Sequence, residues 1–243
     1  MILEIKDISK SFGRIQALSS VDIGVEEGEI LGVAGPNGAG KTTLFNVIAG
    51  VYRPSGGRLI FQGRDVTNEK SYRICHLGLA RTFQVPKTFP TLSVYDNVRV
   101  GATFGNKRVR ESRVKERIDS ALELLGLTGV HDTEAVHLDL YTTKLAGLAM
   151  SLATDPKLLM LDEPLAGLAL DEIEKFLKVV NRLNAEKRVT VIMIEHILDS
   201  LCAVSDRLVI LNFGEVIFSG DPQEGMRDPQ VIECYLGRGK EPV

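Results

Sequence analysis

At 243 residues, 44% of them apolar, the chain is long enough to bury a full core as one domain or as two closely packed lobes, and its composition excludes the disordered classes. A net charge of −3 argues against a broad polyanion-binding surface, so no nucleic acid partner is expected, and no apolar run approaches the roughly 20 residues that span a bilayer. Three cysteines, Cys75, Cys202 and Cys234, lack metal-ligand spacing and read as packing in a reducing, intracellular compartment.

In chain order, Met1-Ile2-Leu3-Glu4-Ile5-Lys6 alternates as a strand and lacks the form of a signal peptide. Residues 1 to about 65 alternate short apolar strands with turns such as Ser11-Phe12-Gly13-Arg14 and Pro54-Ser55-Gly56-Gly57, which predicts a mixed sheet. Within them, Glu29–Ala34 reads as a buried strand and Thr43–Ala49 as a helix. From about Val94 to Met150 the pattern turns helical: Val114, Ile118, Ala121, Leu122 and Leu125 recur at helix spacing, and Gly126 is placed to cap. Lys157–Leu161, Leu170–Glu186, Val189–Ile194, Leu198–Ser205 and Arg207–Asn212 then read as strand, helix, strand, helix and strand, which predicts a parallel sheet with helices on both faces. Gly214–Gly220 reads as a hairpin continuation before a last short helix.

Two blocks carry chemistry. Gly35-Pro36-Asn37-Gly38-Ala39-Gly40-Lys41-Thr42-Thr43 fits the phosphate-loop pattern between a strand and a helix. Its glycines let backbone N–H groups wrap phosphate oxygens, Lys41 reaches the β- and γ-phosphates, and the Thr42 hydroxyl ligates Mg²⁺. A glycine-rich turn without chemistry is the alternative. Against it stands Leu158-Leu159-Met160-Leu161 running into Asp162-Glu163, an apolar strand that ends in one metal-side carboxylate and one water-activating carboxylate. ATP with Mg²⁺ is the expected ligand.

The order of these motifs resembles the ATP-binding subunit of ABC transporters, over nearly all of the chain. The resemblance implies an α/β fold: one nucleotide-binding domain with a P-loop NTPase (RecA-like) core and antiparallel β subdomain, about 1–93 and 151–243, and an inserted α-helical subdomain, about 94–150. Phe12, in Lys10-Ser11-Phe12-Gly13, stands where the family stacks an aromatic ring on adenine, although alone it reads as core. Gln84, in Ala80-Arg81-Thr82-Phe83-Gln84, matches the family's glutamine that touches metal and attacking water. His196, after Ile192-Met193-Ile194-Glu195, matches its γ-phosphate histidine, although a lone histidine at a strand end is ordinarily structural. The implied catalytic set is Glu163, His196, Gln84 and Lys41, and the implied metal set Thr42, Gln84 and Asp162. Nucleotide binding falls to Phe12, Gly35, Asn37, Gly38, Ala39, Gly40, Lys41, Thr42 and Thr43.

Finer likeness points to one branch. Gly35–Asn46, Ala80–Gln84, Leu92-Ser93-Val94-Tyr95-Asp96-Asn97-Val98 and the ending Asp228–Gly237 are similar to the ATPases of high-affinity branched-chain amino-acid import systems. That branch implies a peripheral subunit on the inner face of the membrane, paired beneath two transmembrane permease subunits that an external solute-binding protein feeds. By analogy the segment from about Val85 to Lys107 receives the permease, with Lys87, Phe89 and Tyr95 as contacts or, alternatively, as loop and core. A related branch drives lipopolysaccharide export.

One departure bears on mechanism. The family's signature, near Leu-Ser-Gly-Gly-Gln, holds the γ-phosphate of the opposite subunit's ATP; here the ungapped equivalent is Leu138-Asp139-Leu140-Tyr141-Thr142. An acid replaces the serine and a tyrosine crowds the glycine position. Two unit charges about 4 Å apart repel by roughly 4 kcal/mol at an effective dielectric near 20. A shifted alignment would instead let Thr142 or Thr143 donate a hydroxyl, with Lys144 adding charge. Past Glu163, Ala169 stands where the family commonly carries Asp or Asn. The expectation is therefore an ATPase that works with a second ATP-binding subunit of intact signature, or else with itself. The alternatives are a nucleotide-gated regulatory protein with little turnover, the ATPase of a lipopolysaccharide-type exporter, and a soluble ABC ATPase of DNA repair or translation. The last usually carries two cassettes or a long coiled insertion, whereas this chain has one cassette and a short helical region.

Overall fold

The computed structural model describes residues 1–105 and 110–236. They form two compact units, one from residues 1–70 together with those from 190 onward, the other from residues 71–189.

The first unit opens with β1 (Leu3–Phe12) and β2 (Ile15–Val25), paired antiparallel from Leu3↔Val25 to Phe12↔Ile15 around the Gly13-Arg14 turn. Next come β3 (Ile30–Ala34), α1 (Lys41–Ile48), β4 (Gly56–Phe61) and β5 (Arg64–Asp65). Strands β2-β1-β4-β5 make a separate antiparallel sheet, so the single mixed sheet expected of residues 1–65 is corrected. The reason is patterning: β1 and β2 alternate between buried and exposed positions, whereas β3 is buried at all five positions and belongs between two neighbours. Gly56-Gly57, expected in a turn, opens β4 instead; a Cβ at Gly57, whose φ is +85°, would collide with the Asp7 carbonyl.

The second unit contains α2 (Ser71–His76), β6 (Leu79–Arg81), α3 (Val94–Phe104), α4 (Glu111–Leu124), α5 (Leu140–Leu152), β7 (Leu158–Asp162) and α6 (Leu170–Lys187). β6 and β7 run parallel in the register Leu79↔Leu158. The short α2 and β6 were not anticipated from the sequence. α3 starts at Ser93, whose hydroxyl accepts the Asp96 N–H at 3.0 Å. α4 ends as expected at Gly126: its N–H donates to the Glu123 carbonyl and that of Leu127 to the Leu122 carbonyl, with φ +67° at the glycine.

From residue 190 the first unit resumes with β8 (Thr190–Ile194), α7 (Leu198–Cys202), β9 (Arg207–Asn212), β10 (Glu215–Gly220), α8 (Pro222–Gly225) and α9 (Pro229–Leu236). β3 pairs parallel with β8 on one side and β9 on the other, and β10 continues antiparallel from β9. The Asp206 carboxylate accepts the Ile30 N–H at 2.8 Å, and Arg207 Nε donates to Glu29 at 2.7 Å, which fixes where β3 begins. α7 stops three residues before the expected Ser205, whose hydroxyl donates back to the Leu201 carbonyl at 2.7 Å and competes with further helix bonding. Gly237, the last residue of the ending read from the sequence, lies outside the described residues.

α6 buries Ile173, Phe176, Val180 and Leu183 along one stripe. Phe176 is 1% exposed, so Phe176→Ala should lower unfolding stability by about 3–5 kcal/mol, read as a shifted urea midpoint at unchanged slope.

Candidate functional site

In the first unit β3 delivers the chain into the phosphate loop, and α1 starts where the loop ends. Gly35 and Gly40 have φ of +147° and +104°; a Cβ at Gly35 would collide with the Leu211 carbonyl and one at Gly40 would lie 2.6 Å from the Ala17 carbonyl. Both positions therefore require glycine. Asn37, Gly38 and Thr42 are exposed, Thr43 half-buried and Ala39 buried. α1 begins at Gly40 with no side-chain cap and no acidic residue in its first turn, so its first N–H groups are left for an anion. Lys41 is only 5% exposed and its ammonium donates to the carbonyls of Gly35 at 2.6 Å and Pro36 at 3.0 Å. The lysine lies along its own loop, held by acceptors that a phosphate oxygen can replace.

Phe12 is not core: it is 44% exposed and meets Tyr52 edge to face at 5.3 Å between ring centroids, with the Lys10 ammonium 4.9 Å from the Phe12 ring. Tyr52 was not singled out from the sequence. His196 is exposed just beyond the end of β8, and its N–H donates to the carboxylate of Glu195 at 3.2 Å. Glu195 itself is 2% exposed. An acid ending an apolar strand was its one visible signal.

In the second unit β7 ends at Asp162, whose buried carboxylate pairs with the Arg81 guanidinium at 2.6 Å. Arg81 stands in the sequence motif that carries Gln84 but was given no role there, because a single arginine leaves no periodic trace. Removing one partner of such a buried pair strands the other charge, at a cost of about 3–5 kcal/mol. Gln84 and Glu163, named from separate motifs, meet directly: Gln84 Nε2 donates to Glu163 Oε2 at 2.5 Å. Glu163 has φ +46°, a left-handed conformation that non-glycine residues adopt at a cost and that clusters at functional positions.

Asp139 caps α5. Its carboxylate accepts the Thr142 N–H at 2.7 Å, and the Thr143 hydroxyl donates to the Asp139 carbonyl at 2.7 Å. The shifted alignment is thereby disfavoured, since the Thr143 hydroxyl is engaged within the helix start and Lys144 is buried. Hydrogen bonding from the Thr142 N–H holds the Asp139 carboxyl below the usual carboxylate range. Farther on, Ala169 opens α6 without a side-chain acceptor, and its N–H donates to the Glu172 carboxylate at 2.8 Å. Of the expected permease contacts, Lys87 and Phe89 are exposed and Tyr95 half-buried, while Lys107 lies outside the described residues. Phe83 and Val85 are exposed beside them.

Asp139→Ala should destabilise α5 by about 0.5–2 kcal/mol in urea unfolding, the usual cost of losing an N-cap. Because the folded carboxyl titrates below its ordinary 3.8, the wild-type advantage should be complete at neutral pH. It should disappear only as pH falls below about 4.

Comparison with known proteins identifies the family. Residues 18–166 match the family model described as ABC transporter. The chain is 34% identical to the probable branched-chain amino acid transport ATP-binding protein LivG of Archaeoglobus fulgidus, covering 97% of this chain and 95% of that one. It is 32% identical to the high-affinity branched-chain amino acid transport ATP-binding protein BraF of Pseudomonas aeruginosa, over 97% and 98%. A nucleotide-free ATP-binding cassette from an ABC transporter superposes with a TM-score of 0.89 at 32% identity, over 98% and 99% of the two chains. A cassette solved in its ADP conformation gives 0.89 and 32% over the same shares. The chain belongs to the ABC transporter family, as an ATP-binding and ATP-hydrolysing cassette subunit.

Proposed function

We propose that this cassette drives import of branched-chain amino acids or a closely related small solute, as one half of an unequal pair of ATPase subunits. The cargo reading is supported by relatives alike over their full length and named for that transport. The pairing rests on one observation, the Asp139 carboxylate seated on the Thr142 N–H at the start of α5. Among the described residues no helix is long and apolar enough to cross a membrane. The subunit acts from the inner face, beneath transmembrane permease subunits that an external solute-binding protein supplies. The exposed Phe83, Val85, Lys87 and Phe89 are its permease contacts.

Hydrolysis follows phosphoryl transfer, in which positioning and electrostatics supply nearly all of the catalysis. The loop from Gly35 to Thr43 holds the phosphates, Lys41 exchanges its loop carbonyls for phosphate oxygens, and Phe12 with Tyr52 offers ring faces to adenine. Glu163 orients and deprotonates the attacking water, Gln84 fixes that carboxylate through the bond already present, and His196 steadies charge on the γ-phosphate. Among the described residues no three His, Cys, Asp or Glu gather into a metal cage. Mg²⁺ needs none, since one or two carboxylates plus phosphates ordinarily hold it. The oxygen donors Thr42, Asp162 and Gln84 would hold it, and it would neutralise phosphate charge. The helical subdomain of this reading spans about residues 94–150, the core and β subdomain about 1–93 and 151–243.

The signature for this chain's own nucleotide comes from the second subunit. The reciprocal site, which would need Leu138 to Thr142, binds ATP and turns over slowly. A nucleotide-gated regulator without turnover is the second reading that the closed α5 favours. Glu163→Gln separates them: with the partner ATPase present, hydrolysis should fall by about 10²–10⁴ while ATP binding persists. Unchanged hydrolysis would remove Glu163 from its role, and no wild-type turnover in the mixed pair would favour the regulator.

A further inference from the structure

A cleft of about 230 Å³ opens in the second unit, lined by none of the residues given a role in hydrolysis, between one face of α4, the loop after α5 and the end of α6. Its polar wall is mixed in sign. Glu116 and Ser120, one turn apart on α4, share that face with Arg117; Asp155 comes from the loop and Lys187 from the last position of α6. Part of this charge is satisfied internally, because Arg117 Nη2 donates to Asp155 at 2.6 Å.

Lys187 and Glu116, both exposed, lack an opposite charge among the described residues, and one buried atom lacks an acceptor. Arg117 Nη1 is buried with no acceptor among the described residues, an arrangement native interiors rarely tolerate without an explanation. The Lys187 ammonium donates to the neutral Ser120 hydroxyl at 3.0 Å and has no carboxylate partner among the described residues. The Glu116 carboxylate has no partner there either. Beside these groups the wall is apolar, formed by Leu124, Leu152 and Val189.

We propose that this cleft binds a free α-amino acid with a short apolar side chain. The ligand carboxylate sits against Lys187 and the Ser120 hydroxyl, which gives that ammonium the opposite charge it lacks. Its ammonium faces Glu116, whose carboxylate balances the second charge. A charged group at each end and an apolar wall between select a zwitterion over a plain acid or amine, since each missing charge leaves a protein group unmet. Clefts for drug-sized ligands span roughly 300–1,000 Å³, so this smaller one fits a molecule of on the order of ten heavy atoms. Binding would tie α4 to the end of α6, giving the cassette a site that reports the amino acid on its own side of the membrane. That this amino acid is also the cargo rests on the import reading above; the binding itself does not.

The test is calorimetric titration of the full chain with L-leucine, then with L-leucinamide, which lacks the carboxylate, and 4-methylpentanoate, which lacks the ammonium. Lys187→Gln and Glu116→Gln are titrated with L-leucine. Saturable leucine binding is expected, at least about tenfold weaker for either analogue and for either variant. The analogues act on the unaltered chain, so a variant that folds poorly does not blunt the result. Absence of saturable leucine binding, or binding that neither analogue nor variant weakens, overturns the proposal. Either result leaves the import reading untouched, because that reading is judged by which cargo the assembled transporter moves.

Discussion

Backbone N–H groups at the start of a helix have no partner within the helix, and something must accept from them. This constraint separates the two helix starts that matter most here. α1 opens at a left-handed glycine with no side-chain cap and no acid in its first turn, and the loop before it is shaped by glycines where a Cβ would strike backbone. Its donors await a phosphate. α5 opens at Asp139, whose carboxylate already accepts the Thr142 N–H. A bound anion and a covalently attached one compete for the same donors, and the attached one arrives without loss of translational freedom.

The residues at the end of β7 show a related pattern, in which each carboxylate has a partner. Asp162 is held by Arg81, and Glu163 by the amide of Gln84. Lys41, Asp162 and Glu163 thus each already have a hydrogen-bonding or charged partner in the protein. Glu163 carries backbone strain as well, at the end of a strand buried at all five positions.

Much of this was legible in the sequence because it is local. β3, β7 and β8 read as mostly apolar strands, α6 as a helix over Leu170–Glu186, and the phosphate loop as glycines at fixed spacing. What escaped was long-range or too short to show a period. The strands of residues 1–65 were legible one by one, but their division between two sheets depends on partners far along the chain. α2 and β6 span six and three residues, below the length at which periodicity speaks. Of the site, the motif residues were visible, whereas Arg81 beside Asp162 and Tyr52 beside Phe12 are pairs that only folding makes. Asp139 was noticed as a misplaced acid; its seat on the Thr142 N–H required coordinates.

The central claim is that α5 is closed to phosphate, so that two copies of this chain cannot serve each other. It is tested most directly by following ATP turnover against concentration for the chain alone and for a variant with the signature rebuilt as Asp139→Ser, Leu140→Gly, Tyr141→Gly and Thr142→Gln. The account predicts little turnover from the unaltered chain at any concentration, and turnover at least about tenfold higher, rising steeply with concentration, from the rebuilt one. Equal turnover by the two, with the same steep rise, would contradict it.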